Sequence, residues 1–269
     1  NLIDLIPDRG GLEVVHYTCM DRSALMSAID NWRFEEVTKL DANNDDAIKD
    51  ARTKAYKQVL NRASQYANSF PGAIGFFAQR SDIVGDVKKF GLVARLLGQA
   101  DLFEKRSDAM IEALVPHLDS KTQCIIFCSD KQTADSLTSK MKRRLTFQVV
   151  RHDPKDKMQN AGYDVLVCDQ KAEEGLNLQG GRKILVHYDL PFNPNRVEQR
   201  LGRADRYGAK EPIRSMVLVC NKDPIEMEWV NYLNKALKLF NRSVASLQYL
   251  IAKTEVNLYS ALFTDGAEA

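Results

Sequence analysis

The sequence predicts an α/β fold, a parallel sheet flanked by helices, with a mainly helical region before it and helices after it. Three observations carry this. From residue 121 short apolar runs recur with helical stretches between them. The run Cys124-Ile125-Ile126-Phe127-Cys128 is apolar throughout, as a strand covered on both faces requires. Ahead of it, residues 1 to 118 are dominated by helical patterning.

The elements follow in order. Glu13-Val14-Val15-His16-Tyr17 is a short strand candidate, and Asp21 or Ser23 can cap a helix after it. Residues 45–66, rich in Lys, Ala and Gln, read as a long surface helix that Ser69-Phe70-Pro71-Gly72 breaks. Helical spacing resumes at Ala73 and again over 107–118, with a connector expected near 98–105. Beyond Cys128, Ser129 or Asp130 caps a helix that runs to Arg144. Further strands are expected at 147–150, 164–168, 183–187 and 215–220. Pro224 to Phe263 reads as two long amphipathic helices. The resulting division is 1–118, 119–222 and 223–269.

Composition narrows the function classes. Of 269 residues, 44% are hydrophobic and 28% charged, ordinary for a folded globular chain. Net charge is only +2, so any case for nucleic-acid binding must come from local charge. No apolar stretch is long enough for a membrane span. Asn1-Leu2-Ile3-Asp4 lacks a basic stretch leading into an apolar run, so no signal peptide is expected. The first residue is not Met, so a processed or truncated chain is expected. The five cysteines form no Cys-x-x-Cys pair and read as buried thiols of a reducing cytoplasm. No metal site is expected in this chain.

In a parallel sheet, binding loops lie at the carboxyl ends of the strands. The segment Asn193-Pro194 suits a helix start, with Asn193 as cap and Pro194 in the first turn. On that helix Gln199, Arg203 and Arg206 follow one another at spacings of four and three, and Arg196 and Arg200 extend the same face. Clustered guanidinium groups with Gly202 among them suit a phosphate-bearing polyanion. By charge alone, a solvated basic helix is an equal reading.

The order of residues adds to this. Gln199-Arg200-Leu201-Gly202-Arg203-Ala204-Asp205-Arg206 resembles motif VI of superfamily 2 helicases and translocases. The resemblance implies a second RecA-like lobe in which Arg203 and Arg206 act as arginine fingers toward ATP held by a partner lobe. Gln199 and Gly202 would lie beside the nucleotide. Upstream, Ala172-Glu173-Glu174-Gly175-Leu176-Asn177-Leu178-Gln179 resembles motif V. There Gly175 lets the backbone approach a phosphate, Asn177 can donate and accept, and Glu174 would face nucleic acid. Taken alone, Gly-x-Asn is only a turn.

His187-Tyr188-Asp189-Leu190-Pro191-Phe192-Asn193-Pro194 resembles the Asp-x-Pro-aromatic-Asn-Pro element of the Swi/Snf group, and with motif VI looks most like its HepA/RapA-like branch. Ile125 to Asp130 resembles motif IV, which implies that Ser129 contacts a strand phosphate; an N-cap is the plain alternative. His152, with Arg151, Lys155 and Lys157 around it, stands where the family carries a nucleic-acid-facing loop, and a solvated loop is the plain alternative. Arg200 joins Ser129, His152 and Glu174 as a nucleic-acid candidate.

The resemblance implies an ATPase using ATP with Mg2+ that moves on double-stranded DNA, with RNA as another polymer. Implied partners are a first RecA-like lobe and, by branch, RNA polymerase or defence-system proteins, with no membrane. Alternatives are a strand-separating helicase lobe or a non-catalytic docking module. The sequence has neither Gly-Lys-Ser/Thr nor an Asp-Glu pair, so ATP and metal would be held mainly by the other lobe. On this reading Glu13 to Tyr17 would be the last strand of that first lobe or its connector, and the chain alone would be inactive.

Overall fold

The computed structural model describes residues 9–41, 46–68, 102–119, 121–154, 162–173, 176, 178, 181–204, 212–243 and 259–266. Among these residues six strands form one sheet: β1 (Leu12–Tyr17), β2 (Thr122–Phe127), β3 (Val149–Arg151), β4 (Val165–Cys168), β5 (Arg182–His187) and β6 (Arg214–Cys220). Their spatial order is β1-β6-β5-β2-β4-β3 and every pairing is parallel. The expected α/β fold is therefore present.

The sheet is covered on both faces, and the strands show it residue by residue. Ile125, Phe127, Leu166, Cys168, Leu185, Val217 and Val219 belong to one core. Their neighbours Cys124, Ile126, Val165, Val167, Val186, Met216 and Leu218 belong to another. This period-2 division inside continuous apolar runs is what a central sheet of a three-layer fold requires. Helices α3 (Leu102–Leu114) and α4 (Lys131–Arg144) supply the second core, through Phe103, Met110, Ile111, Leu114, Ala134, Leu137 and Met141. The first core is closed by α5 (Pro194–Ala204), α6 (Pro224–Asn231), and aromatic groups from α1 (Met20–Asp41), α2 (Asp46–Asn68) and the helical stretch 259–265. Among the described residues no helix is long and apolar enough to cross a membrane.

Local signals place the helix starts. The Asp130 side chain accepts from the Thr133 N–H at 2.8 Å and caps α4, so the cap is Asp130 and not Ser129. Asn193 Oδ1 accepts from the N–H groups of Asn195 (2.9 Å) and Arg196 (3.2 Å), which caps α5 with Pro194 as its first residue. The expected break at 69–72 and the helix resuming at Ala73 lie outside the described residues.

Three expectations need correction. Strand 12–17 does not belong to another lobe: it pairs with β6 from Leu12↔Ser215 to Tyr17↔Cys220 and forms this sheet's edge. The connector near 98–105 is partly helix, because α3 starts at Leu102. The tail does not begin with a long helix. Asp223 caps the eight-residue α6, a π-helical turn follows over Tyr232–Ala236, and Lys238 turns the chain with φ 53°.

A buried polar network fastens the early helices to the sheet. Arg106 on α3 donates to Tyr188 O (2.6 Å), Tyr17 Oη (2.9 Å) and Leu218 O (3.2 Å), and pairs with Glu226 at 2.9 Å. Arg22 on α1 pairs with Asp223 (2.8 Å) and Glu226 (3.2 Å). Glu226 also accepts the Cys220 N–H. These contacts explain why residues before 118 and after 223 share one structure with the strands.

His187 sits wholly inside, its ring 6.5 Å from Phe127 and 5.6 Å from Phe240, and among the described residues neither ring nitrogen has a hydrogen-bond partner. Burial, then the positive charges of Arg200 and Arg9, hold its pKa well below 6.5. The folded protein thus keeps it neutral, while the unfolded chain protonates it as pH falls below about 6.5. Urea titrations at pH 7.5 and 5.5 should show this residue contributing a loss of about 1.4 kcal/mol in all between the two, and His187→Phe should reduce that fall. An undiminished pH dependence in the variant would contradict this account.

Candidate functional site

The polar residues gather at the carboxyl ends of β2, β4 and β5, as the parallel topology requires. Ser129 follows β2, Asp169 and the 3-10 turn Gln170–Glu173 follow β4, and Asp189 follows β5. Helix α5 lies across them, and its Arg196 and Arg200 meet Glu173 and Asp189.

Arg200 is at the centre. Its side chain has 0% exposure, against 5% for Glu173 and 3% for Asp189. Nε donates to Glu173 Oε1 at 2.8 Å, Nη1 to Asp189 O at 2.6 Å, and Nη2 to Asp189 Oδ1 at 3.3 Å and Ser129 Oγ at 3.4 Å. The guanidinium also lies over the Phe127 ring, 5.6 Å from its centroid. Arg196 grips the same Glu173 with two nitrogens, each at 2.9 Å. Asp189 in turn accepts from the Ser129 N–H (2.8 Å) and the Ser129 hydroxyl.

This corrects two expectations. Arg200 and Ser129 do not face a nucleic-acid strand: both are buried, and the charge or hydroxyl of each is committed to Asp189. Nor do Arg196 and Arg200 extend a solvent-facing phosphate surface, since each is committed to Glu173. Glu173 and Asp189, the acids that neutralise these arginines, are not evident from helical spacing. The available signal was a pair of acids, each just after a strand end, upstream of an arginine-rich helix.

Arg203 is different. Its exposure is intermediate and, among the described residues, its Nε has no hydrogen-bond partner. Its carbonyl accepts the Leu178 N–H at 3.0 Å, which ties the end of α5 to the stretch between β4 and β5. Gln199 and Gly202 are exposed, and a Cβ built at Gly202 would meet none of the described residues within 4 Å. At about 100° per residue, Gln199, Gly202 and Arg203 share one arc of the helix. That arc can receive a group from outside the lobe. A partly buried guanidinium whose Nε has no partner among the described residues, beside an exposed glycine, fits a phosphate oxyanion such as those of ATP. Among the described residues no three His, Cys, Asp or Glu side chains come together as a metal-ligand set.

His152 is half-buried after β3, with its N–H bonded to Val167 O at 2.9 Å and its Nδ1 without a hydrogen-bond partner among the described residues. Burial lowers its pKa below 6.5, although Asp169 opposes this. Its neighbour Arg151 pairs with Asp135 (2.9 Å) and Asp169 (2.6 Å). Glu174, Gly175, Asn177 and Arg206 lie outside the described residues. A cavity of about 330 Å³ lies at the opposite end of the sheet, among Thr122, Arg182 and Arg214 at the strand starts, away from all of these groups.

Residues 105–208 match the family described as the helicase conserved C-terminal domain. That span holds α5 and every residue of the strand-end cluster. A Bacillus subtilis (strain 168) protein named "Uncharacterized ATP-dependent helicase YqhH" is 33% identical over 93 residues. The match covers 35% of this chain and 16% of that protein, so the chain matches about a sixth of its relative's length. Among solved structures, the C-terminal part of the Fun30 ATPase domain superposes with a TM-score of 0.54 at 15% identity, covering 98% of this chain and 99% of that one. The Pyrococcus furiosus Hef helicase domain gives a TM-score of 0.52 at 15% identity, covering 81% and 56%. At these identities the likeness is one of fold, and it extends beyond the helicase span to nearly the whole chain.

The arginines of α5 should separate by stability. Arg200→Ala leaves Glu173 and Asp189 buried without their central charge and should cost about 3–5 kcal/mol. Arg203→Ala should cost well under about 1 kcal/mol. Urea denaturation of the two variants checks this, and similar losses would contradict the division into strut and free group.

Proposed function

We propose that this chain is the second motor lobe of a Swi/Snf-type ATPase of the HepA/RapA-like branch, one that moves along double-stranded DNA in the cytoplasm. The observation that carries the reading is Arg203. It is the α5 arginine whose side chain is left without an acid among the described residues, on the arc it shares with the exposed Gln199 and Gly202. A helix built only for stability gains nothing from that exception.

In this reading Arg203 and Arg206 reach across a cleft to ATP held by a first lobe. ATP supplies the γ-phosphoryl group whose transfer to water releases the energy of movement. Arg203 places positive charge against the γ-phosphate oxygens as negative charge redistributes in the transition state. Gln199, one turn earlier on the same arc, orients the nucleotide by hydrogen bonding. Gly202 keeps the space between them clear of any side chain. Mg2+ belongs to the first lobe, where a carboxylate pair would hold it. Gly175 and Asn177 couple the cleft to the polymer, and Glu174 and His152 face the nucleic acid. The relative named as an ATP-dependent helicase supports nucleotide use. The Asp189-Leu190-Pro191-Phe192-Asn193-Pro194 element favours a duplex translocase over a strand-separating enzyme.

In the assembled two-lobe enzyme, Arg203→Ala should lower kcat for ATP hydrolysis by about 10³-fold or more while duplex DNA binding persists. Near-normal turnover in that variant would sink the assignment. DNA-stimulated hydrolysis without strand displacement is the expected companion result.

A further inference from the structure

Helix α5 is held from two sides, and only one of them belongs to the strand-end cluster. Arg196 and Arg200 anchor one flank to Glu173. Val197, Leu201 and Ala204 point into the core. Glu198 projects from the other flank, at 6% exposure, and meets Arg9. The Arg9 guanidinium donates to both Glu198 oxygens, at 2.8 and 3.0 Å. Arg9 also donates to Leu239 O at 2.5 Å and Arg242 O at 3.3 Å, and its backbone N–H bonds to Asn241 O at 2.9 Å. Ser243 adds its hydroxyl to Glu198 Oε1 at 2.6 Å.

Two segments distant in sequence, the approach to β1 and the stretch 239–243, therefore converge on one carboxylate. The arc left between this clamp and the Glu173 anchor carries Gln199, Gly202 and Arg203. A rigid helix pinned on both flanks cannot roll about its axis. Its roll decides where an arginine five residues from Glu198 can reach, and a displacement of about 1 Å can cost 10²-fold in rate.

We propose that Glu198, clamped by Arg9 and Ser243, is a positioning residue that sets the roll of α5 and hence the reach of Arg203. For its effect on turnover this rests on Arg203 acting as the finger; for its effect on the helix it does not. The clamp also makes the finger sensitive to whatever moves the chain just before β1 or after Lys238.

The test uses Arg9→Lys, which keeps the charge but loses the two-pronged geometry, Glu198→Gln, and the milder Ser243→Ala. Hydrogen exchange on the 269-residue chain should quicken in 194–204 and 239–243, least for Ser243→Ala, and stay unchanged in β2, β4 and β5. In the assembled enzyme kcat should fall by about 10- to 100-fold for Arg9→Lys, with KM for ATP unchanged. Unchanged exchange in α5, or faster exchange spread over the whole sheet, would overturn the positioning role even if Arg203→Ala is inactive. Local quickening with Arg203→Ala at normal turnover would overturn the finger reading and, with it, any role of the clamp in turnover.

Discussion

The carboxylate of Glu173 is the contact on which the carboxyl end of this sheet depends. It projects from a one-turn 3-10 helix after β4 and takes Arg196 and Arg200 from α5 together. Through Arg200 it reaches Asp189 after β5, and through Asp189 it reaches Ser129 after β2. Three strand ends and one helix thus share a single polar network. Burying these charges costs several kcal/mol per ion before pairing, so the network is a poor means of gaining stability. What it provides is placement. Each guanidinium has a fixed fork geometry, and only one seating of α5 satisfies all of its partners.

That placement gives the helix a division of labour. Arg196 and Arg200 face acids and are spent on structure, while Glu198 faces Arg9 and closes the other flank. The free arc between them is narrow and carries chemistry suited to phosphate. A neighbouring constraint works the same way. Phe192 packs against Trp229 with the rings tilted by 33° and centroids 5.2 Å apart, Trp229 Nε1 donates to Pro191 O, and Tyr259 Oη donates to Phe192 O. The proline-rich turn before α5 is thereby fixed by the C-terminal helices. Rigid supports around a few uncommitted groups are what an arrangement completed from outside needs.

Much of the fold was legible in the residues. Strands buried on both faces read as continuous apolar runs, and Asn193-Pro194 announced a helix start by its chemistry. The edge position of strand 12–17 was not legible, because its partner lies some two hundred residues away and edge pairing leaves no local pattern. The tail misled for a related reason: apolar spacing through 224–240 continues across a π turn and a left-handed Lys238 that helical periodicity does not reveal. In the site, the order of residues points to α5, where the structure sets Arg196 and Arg200 against buried acids. It could not sort the arginines, because helical spacing puts 196, 200 and 203 side by side. Their roles come from Glu173 and Asp189, supplied by other strand ends.

The central claim is that this lobe contributes a finger to a nucleotide it does not itself hold. The most direct measurement is ATP hydrolysis by the 269-residue chain, with and without duplex DNA, after a cooperative melt has shown it folded. The account predicts no turnover above background from the folded chain in either condition. DNA-stimulated turnover that disappears in Arg203→Ala would contradict it, because ATP would then be held by residues of this chain.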